Sequence, residues 1–367
     1  MRSFTVLFGG TVLAATATVS SFFLGSTVGS LALGALSPRW RRPLLAFGLL
    51  EIGVGLGALL VRPILGLYVP LYARLHGPLS AYPVGFAVVK LALATVAVGL
   101  PTFAMGGTLP VLAEAVAAGR ARLGIPVGGL YAFNLLGAAA GAFAVPFLLL
   151  PRLGVGRSHL AVVAGSLIVG TIAALMGTRA AREDVAASAS PETPPAREAT
   201  ATARAHPLPR PRVRLLAFWS GACTLGLQVL WMRMFSLVHE NSVYSFALVL
   251  VVFLIGLSGG AALARWGLRR QWSASRLLAG GWACAASWIT LTPWIFFNRT
   301  GGLEYLPTAD PVASDLRLVW IAVVTLLPAC VALGTALPLL MEMASIDADR
   351  ANESAGPTLG RLLSVNT

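Results

Sequence analysis

Charge is scarce in this sequence. Of its 367 residues only 11% are charged, less than half of the roughly 25% usual in a soluble domain. Lysine is nearly absent: Lys90 stands alone, so the formal charge of +13 comes almost wholly from arginine. Cysteine is confined to Cys223, Cys284 and Cys330 at wide spacing, which excludes a disulfide framework and the common thiolate metal sites. There is no phosphate-cradling G-x-x-x-x-G-K-[ST] run, and no G-x-G-x-x-G between a strand and a helix. His76, His159, His206 and His239 are scattered over loops and boundaries, and no nucleophile–base pairing is suggested. Neither an enzyme site, a metal nor a cofactor is therefore expected.

Apolar length is what the chain does have. Hydrophobic residues make up 57% of it, in runs long enough to cross roughly 30 Å of hydrocarbon and too long for the short alternating strands of a β-barrel. Spans are expected at about 10–36, 44–67, 84–113, 127–150, 157–177, 215–238, 243–264, 275–297 and 316–343, with a tenth starting near Leu359. The fold class is an all-α polytopic membrane protein with about nine complete spans.

The arginines sit in short loops: Arg39, Arg41 and Arg42, then Arg120 and Arg122, then Arg265, Arg269, Arg270 and Arg276. The intervening loops are poor in arginine, apart from Arg152 and Arg157 in a short turn. This is the positive-inside pattern, not a nucleic-acid-binding face, and it puts the arginine-rich loops on the cytoplasmic side of the membrane. Residues 178–213 are rich in Ala, Pro and Arg without apolar periodicity. They read as a disordered cytoplasmic linker between a first membrane part, 1–177, and a second, 214–367.

The two parts resemble each other. Phe22, Gly25 and Gly29 fall on Phe253, Gly256 and Gly260 at an offset of 231. "MGGTLPVLAEA" falls on "LGTALPLLMEM" at 228, pairing Gly106 with Gly334, Pro110 with Pro338 and Glu114 with Glu342. Asn134 falls on Asn366 at 232. Both copies run in the same sense, so two parallel repeats are expected, as in major facilitator halves. Extended backward, Met1 and Arg2 fall on Met232 and Arg233, after a whole helix that the first copy lacks. The register thus implies a fragment clipped at both ends, with six spans per half in the intact protein. It also places Ala15-Thr16-Ala17, which has the outline of a signal-peptide cleavage site, inside a retained helix.

Glycine pairs four residues apart, Gly25/Gly29, Gly53/Gly57, Gly137/Gly141 and Gly256/Gly260, are expected to be packing seams. Proline frees the carbonyl four residues earlier, so Pro110 frees Gly106 and Pro338 frees Gly334, with Pro101 upstream. Each break is either a static kink, the simpler reading, or a hinge or contact site. Glu51 lies within a span, and Glu114 and Glu342 close the two proline segments; intramembrane carboxylates are functional candidates. Lys90 can snorkel to the interface, and Arg233 can anchor at the outer one. Trp219, Trp266, Trp272 and Trp294 fall near interfaces, where indoles anchor.

"LPTFAMGGTLPVL", "YAFNLLGAAAGAFAVPFLLLPRLG" and "SGACTLGLQVLWMRMF" resemble the membrane region of bacterial fused major facilitator/spermidine synthase proteins. Members commonly carry a glutamate three residues before the tryptophan of a W-x-R element; here Gln228 precedes Trp231 and Arg233. The soluble synthase-like domain is not in this chain, so its aminopropyltransferase activity is not assigned here. The resemblance implies a transporter-like module of a bacterial inner membrane for a polyamine or related small cation, with Glu51, Glu114, Glu342 and Asn134 as substrate-binding candidates. It equally admits a membrane scaffold for a cytoplasmic synthase-like domain that moves nothing.

Overall fold

A computed structural model of the chain describes residues 11–79, 83–117, 123–187, 210–239, 243–305, 311–350 and 354–367. Hydrocarbon offers a backbone no partner but itself, which favours structures that close every hydrogen bond locally. Accordingly, the described residues form helices and turns and contain no strand. The helices are α1 (Thr11–Leu36), α2 (Pro43–Leu79), α3 (Pro83–Ala117), α4 (Gly124–Ala144), α5 (Leu150–Ala187), α6 (Arg210–Phe235), α7 (Val243–Arg269), α8 (Ala274–Arg299), α9 (Pro311–Gly334), α10 (Ala336–Arg350) and α11 (Ala355–Asn366). Seven segments among the described residues are long and apolar enough to span a membrane. The chain is a multi-pass helical membrane protein by these criteria.

Small residues set the closest approaches. A Cβ on Gly29 would strike the carbonyl of Phe103, and one on Gly260 would strike that of Val331. Gly106 abuts the carbonyl of Ser26, and Gly334 that of Leu257. The pair Gly137/Gly141 forms no such seam: among the described residues nothing lies within 4 Å of a Cβ at either position. With no side chain between them, backbones gain dispersion contacts that larger residues would prevent. The result is two seams, α1 along α3 and α7 along α9, touching at positions that the sequence match pairs. Two further long seams join α2 to α5 and α4 to α7. The α11 helix lies against α1, α3 and α6.

The two proline segments differ. Across Pro101 and Pro110, α3 runs on as one helix. The carbonyl that Pro110 frees, Gly106 O, lies 3.1 Å from the buried hydroxyl of Ser30 in α1, whose single proton it shares with the Ser26 carbonyl at 2.9 Å. In the second copy Ser30 is matched by Ala261, which has no donor to offer. There the helix is interrupted: α9 ends at Gly334, Thr335 forms a turn, and α10 begins at Ala336 ahead of Pro338.

Other boundaries depart from the expected ones. The run Gly124–Arg179 counts as one apolar segment of 56 residues, about 84 Å if fully helical and nearly three times the hydrocarbon thickness. It is not one straight rod. A π-turn occupies Val145–Leu149, and Gly154 has φ 69°, ψ 173° inside α5. The expected linker, 178–213, is shortened from both ends: α5 continues to Ala187 and α6 starts at Arg210. The Ala and Arg residues there are strong helix formers, and Pro211 sits in a first turn, where its missing N–H costs nothing. Residues 188–209, Met1, Arg2, Arg120, Arg122 and the side chain of Lys90 lie outside what is described. Ala15-Thr16-Ala17 falls within α1.

Candidate functional site

Helix starts leave backbone N–H groups without intrahelical partners. Two such starts, those of α4 and α11, are capped by carboxylates from distant helices. The N–H of Gly124, first residue of α4, donates to Glu342 Oε2 of α10 at 2.9 Å. The N–H of Gly356, in the first turn of α11, donates to Glu114 Oε2 of α3 at 2.7 Å. The glutamates are a matched pair in the sequence register, and so are the glycines. Each carboxylate thus reaches from one part of the chain to a helix of the other.

The local sequence explains why these carboxylates sit there. Glu114 and Glu342 each follow a proline by four residues, one helical turn. A carboxylate in apolar surroundings needs donors, and the positive end of a helix supplies both N–H groups and a favourable dipole. Glu342 is 1% exposed. Glycine is required at the capped positions, because a Cβ on Gly124 would lie 2.6 Å from Glu342 Cβ and 2.8 Å from Leu268 Cδ1. A Cβ on Gly356 would collide with Ser37 Oγ and lie 3.0 Å from Glu114 Oε2. Both contacts lie beside arginine-bearing turns: Ser37 precedes Arg39, and Leu268 lies between Arg265 and Arg269.

The other sequence candidates are dispersed. Glu51 faces the α2–α5 seam, where Ser166 Oγ donates to its carbonyl at 3.0 Å and to its Oε2 at 3.2 Å. Asn134 is exposed, whereas its counterpart Asn366 donates through Nδ2 to the Ala217 carbonyl of α6 at 2.9 Å. In the W-x-R element, Trp231 is buried with its ring edge-on to Phe253 at 6.2 Å, Gln228 is half-buried, and Arg233 is exposed. Pro101 is half-buried beside Gly57, while Gly106, Pro110, Gly334 and Pro338 are buried in the seams.

One polar group was not signalled by the sequence. His239 is buried where α6 ends, and its Nδ1 lies 2.8 Å from Ser245 Oγ at the start of α7. Asp315 of α9 is 3.9 Å from the other ring nitrogen, too far for the hydrogen bond that would orient a catalytic base. The three residues come from the turn after α6, from α7 and from α9, so no spacing rule exposes them. The capping glycines were equally hidden, since their contribution is a backbone N–H; only the offset that pairs Gly124 with Gly356 marks them.

No family model, curated protein or solved structure matches the chain.

Proposed function

We propose that the chain is the membrane module of a transporter built from two parallel helical repeats of the major facilitator type. In this reading Glu114 and Glu342 act as a pair of clasps that close its arginine-rich face, which is the cytoplasmic one under the positive-inside pattern. The observation that carries the reading is the exchange of caps: Glu342 to Gly124 and Glu114 to Gly356. A static bundle needs no symmetric pair of long-range carboxylate caps. A machine that alternates between two openings needs a closure that reforms from both halves at once.

The energies suit a reversible closure. A carboxylate at a partly buried helix start contributes up to about 2 kcal/mol. Two such caps bias the closed state by up to about 4 kcal/mol, several hundred-fold in population. That is strong enough to favour closure and weak enough for bound cargo to release it.

The family resemblance makes a polyamine or related small cation the cargo to test. The deciding assay is uptake of radiolabelled putrescine and spermidine into proteoliposomes. Uptake above empty vesicles supports the reading. Its absence for every polyamine removes the proposed cargo, and if exchange at Gly124 and Gly356 is also uncoupled, the scaffold reading replaces transport.

A further inference from the structure

Arg265 lies near the end of α7 against α4, where Gly129 lets the guanidinium approach the backbone: a Cβ there would lie 3.2 Å from Arg265 Cζ. The Nε of Arg265 is buried and has no hydrogen-bond partner. A guanidinium has five N–H donors in a fixed fork and no acceptor; with Nε shut against Gly129, its terminal N–H groups are the donors that an anion could use. The group borders a cleft of about 230 Å³ between α4 and α7. Arg269 also lines that cleft, one helical turn further on.

Below the two arginines the α4 wall of the cleft is apolar and opens outward. Phe133 is 71% exposed and Leu136 45%. Side chains of this kind, unburied on membrane-length helices, face acyl chains. Trp266 stands edge-on to Trp272 at 5.0 Å, and Arg270 lies over its ring at 5.4 Å. Indoles with flanking cations are the side chains that settle at headgroup level. The cleft therefore offers a cationic top and an apolar flank in the order in which a phospholipid presents phosphate and chains.

We infer that this cleft is a binding site for an anionic phospholipid, whose phosphodiester oxygens accept from Arg265 and Arg269 while an acyl chain lies along Phe133 and Leu136. A zwitterionic lipid brings an ammonium group that two guanidinium groups repel, so net negative charge is part of the recognition. The lipid would brace α4 against α7, the same α4 whose first N–H is capped by Glu342. The inference stands apart from transport, since a scaffold would need the brace equally.

The test is native mass spectrometry of the full chain in detergent, titrated with phosphatidylglycerol, phosphatidylcholine or inorganic phosphate. The parent is expected to retain phosphatidylglycerol preferentially. The R265Q variant should bind it about tenfold more weakly, as expected on losing one charge-assisted pair. R299Q removes the same charge from an exposed arginine at the end of α8 and should leave binding within about twofold of the parent, as rim charges do. Equal retention by R265Q and the parent overturns the site. Equal losses in R265Q and R299Q reduce it to diffuse surface attraction, and displacement by phosphate at equal concentration makes it an ion site; either result overturns the lipid proposal. Should R265Q fail to fold, R269Q, from an exposed position, is judged by the same criteria.

Discussion

Glu342 accepts a hydrogen bond from the backbone N–H of Gly124, 218 residues away in the chain. The bond joins the start of α4 to the helix that follows the break at Thr335. Its counterpart, Gly356 to Glu114, spans 242 residues in the opposite sense. Both bonds tie the same two parts together, so under the proposed closure one formed bond would hold the other's partners in place.

Removing one carboxylate should be felt more than neutralising it. Glu342→Ala leaves the Gly124 N–H buried without an acceptor, a loss of about 1–3 kcal/mol. Glu342→Gln keeps an acceptor oxygen and forfeits only the charge assistance, about 1 kcal/mol. The apparent melting temperature of the purified protein should therefore fall in the order parent, Glu342→Gln, Glu342→Ala. Equal melting of all three would show that the cap contributes nothing.

The capping glycines should tolerate no side chain. Gly124→Ala places a methyl group inside contact distance of Glu342 and Leu268, an overlap that costs about 1–3 kcal/mol when the surroundings must shift. Gly137→Ala, in the same helix with nothing within 4 Å of the new Cβ, gains helix propensity of up to about 1 kcal/mol. Thermal denaturation should move the two variants in opposite directions.

Ser30→Ala removes the donor that serves the Gly106 carbonyl. An unsatisfied carbonyl in an apolar seam costs about 1–3 kcal/mol, and α3 should then loosen near Pro110. The measurement is hydrogen exchange over residues 106–114, which should rise in Ser30→Ala. In Ser287→Ala, whose hydroxyl is exposed and bonds only within its own helix, the same segment should stay as in the parent.

Much of the fold was legible because hydrocarbon permits so little else. Apolar runs became helices, and the glycines paired by the offset became the tight contacts Gly29–Phe103 and Gly260–Val331. The helix ends were less legible. Ala-rich, arginine-bearing sequence beyond Thr178 has no apolar period yet continues α5 to Ala187, because helix propensity alone suffices outside the apolar segment. At the site, Glu114 and Glu342 stood out as carboxylates in apolar sequence, but their partners did not. A backbone N–H belongs to nearly every residue, and which one stays uncapped depends on where a helix starts. His239 and Ser245 were obscured for a similar reason, since nothing in their spacing of six says that a residue beyond one helix end meets one in the next helix.

The central claim is that the two clasps form one closure and not two separate helix caps. Hydrogen exchange resolved by mass spectrometry, on the intact protein in lipid nanodiscs, can follow residues 123–131 and 355–362 together in the parent, Glu114→Gln and Glu342→Gln. The account predicts that either substitution raises exchange in both segments, because opening one clasp weakens the other. Increased exchange confined to the segment whose own cap was altered, with the second segment as protected as in the parent, would contradict it.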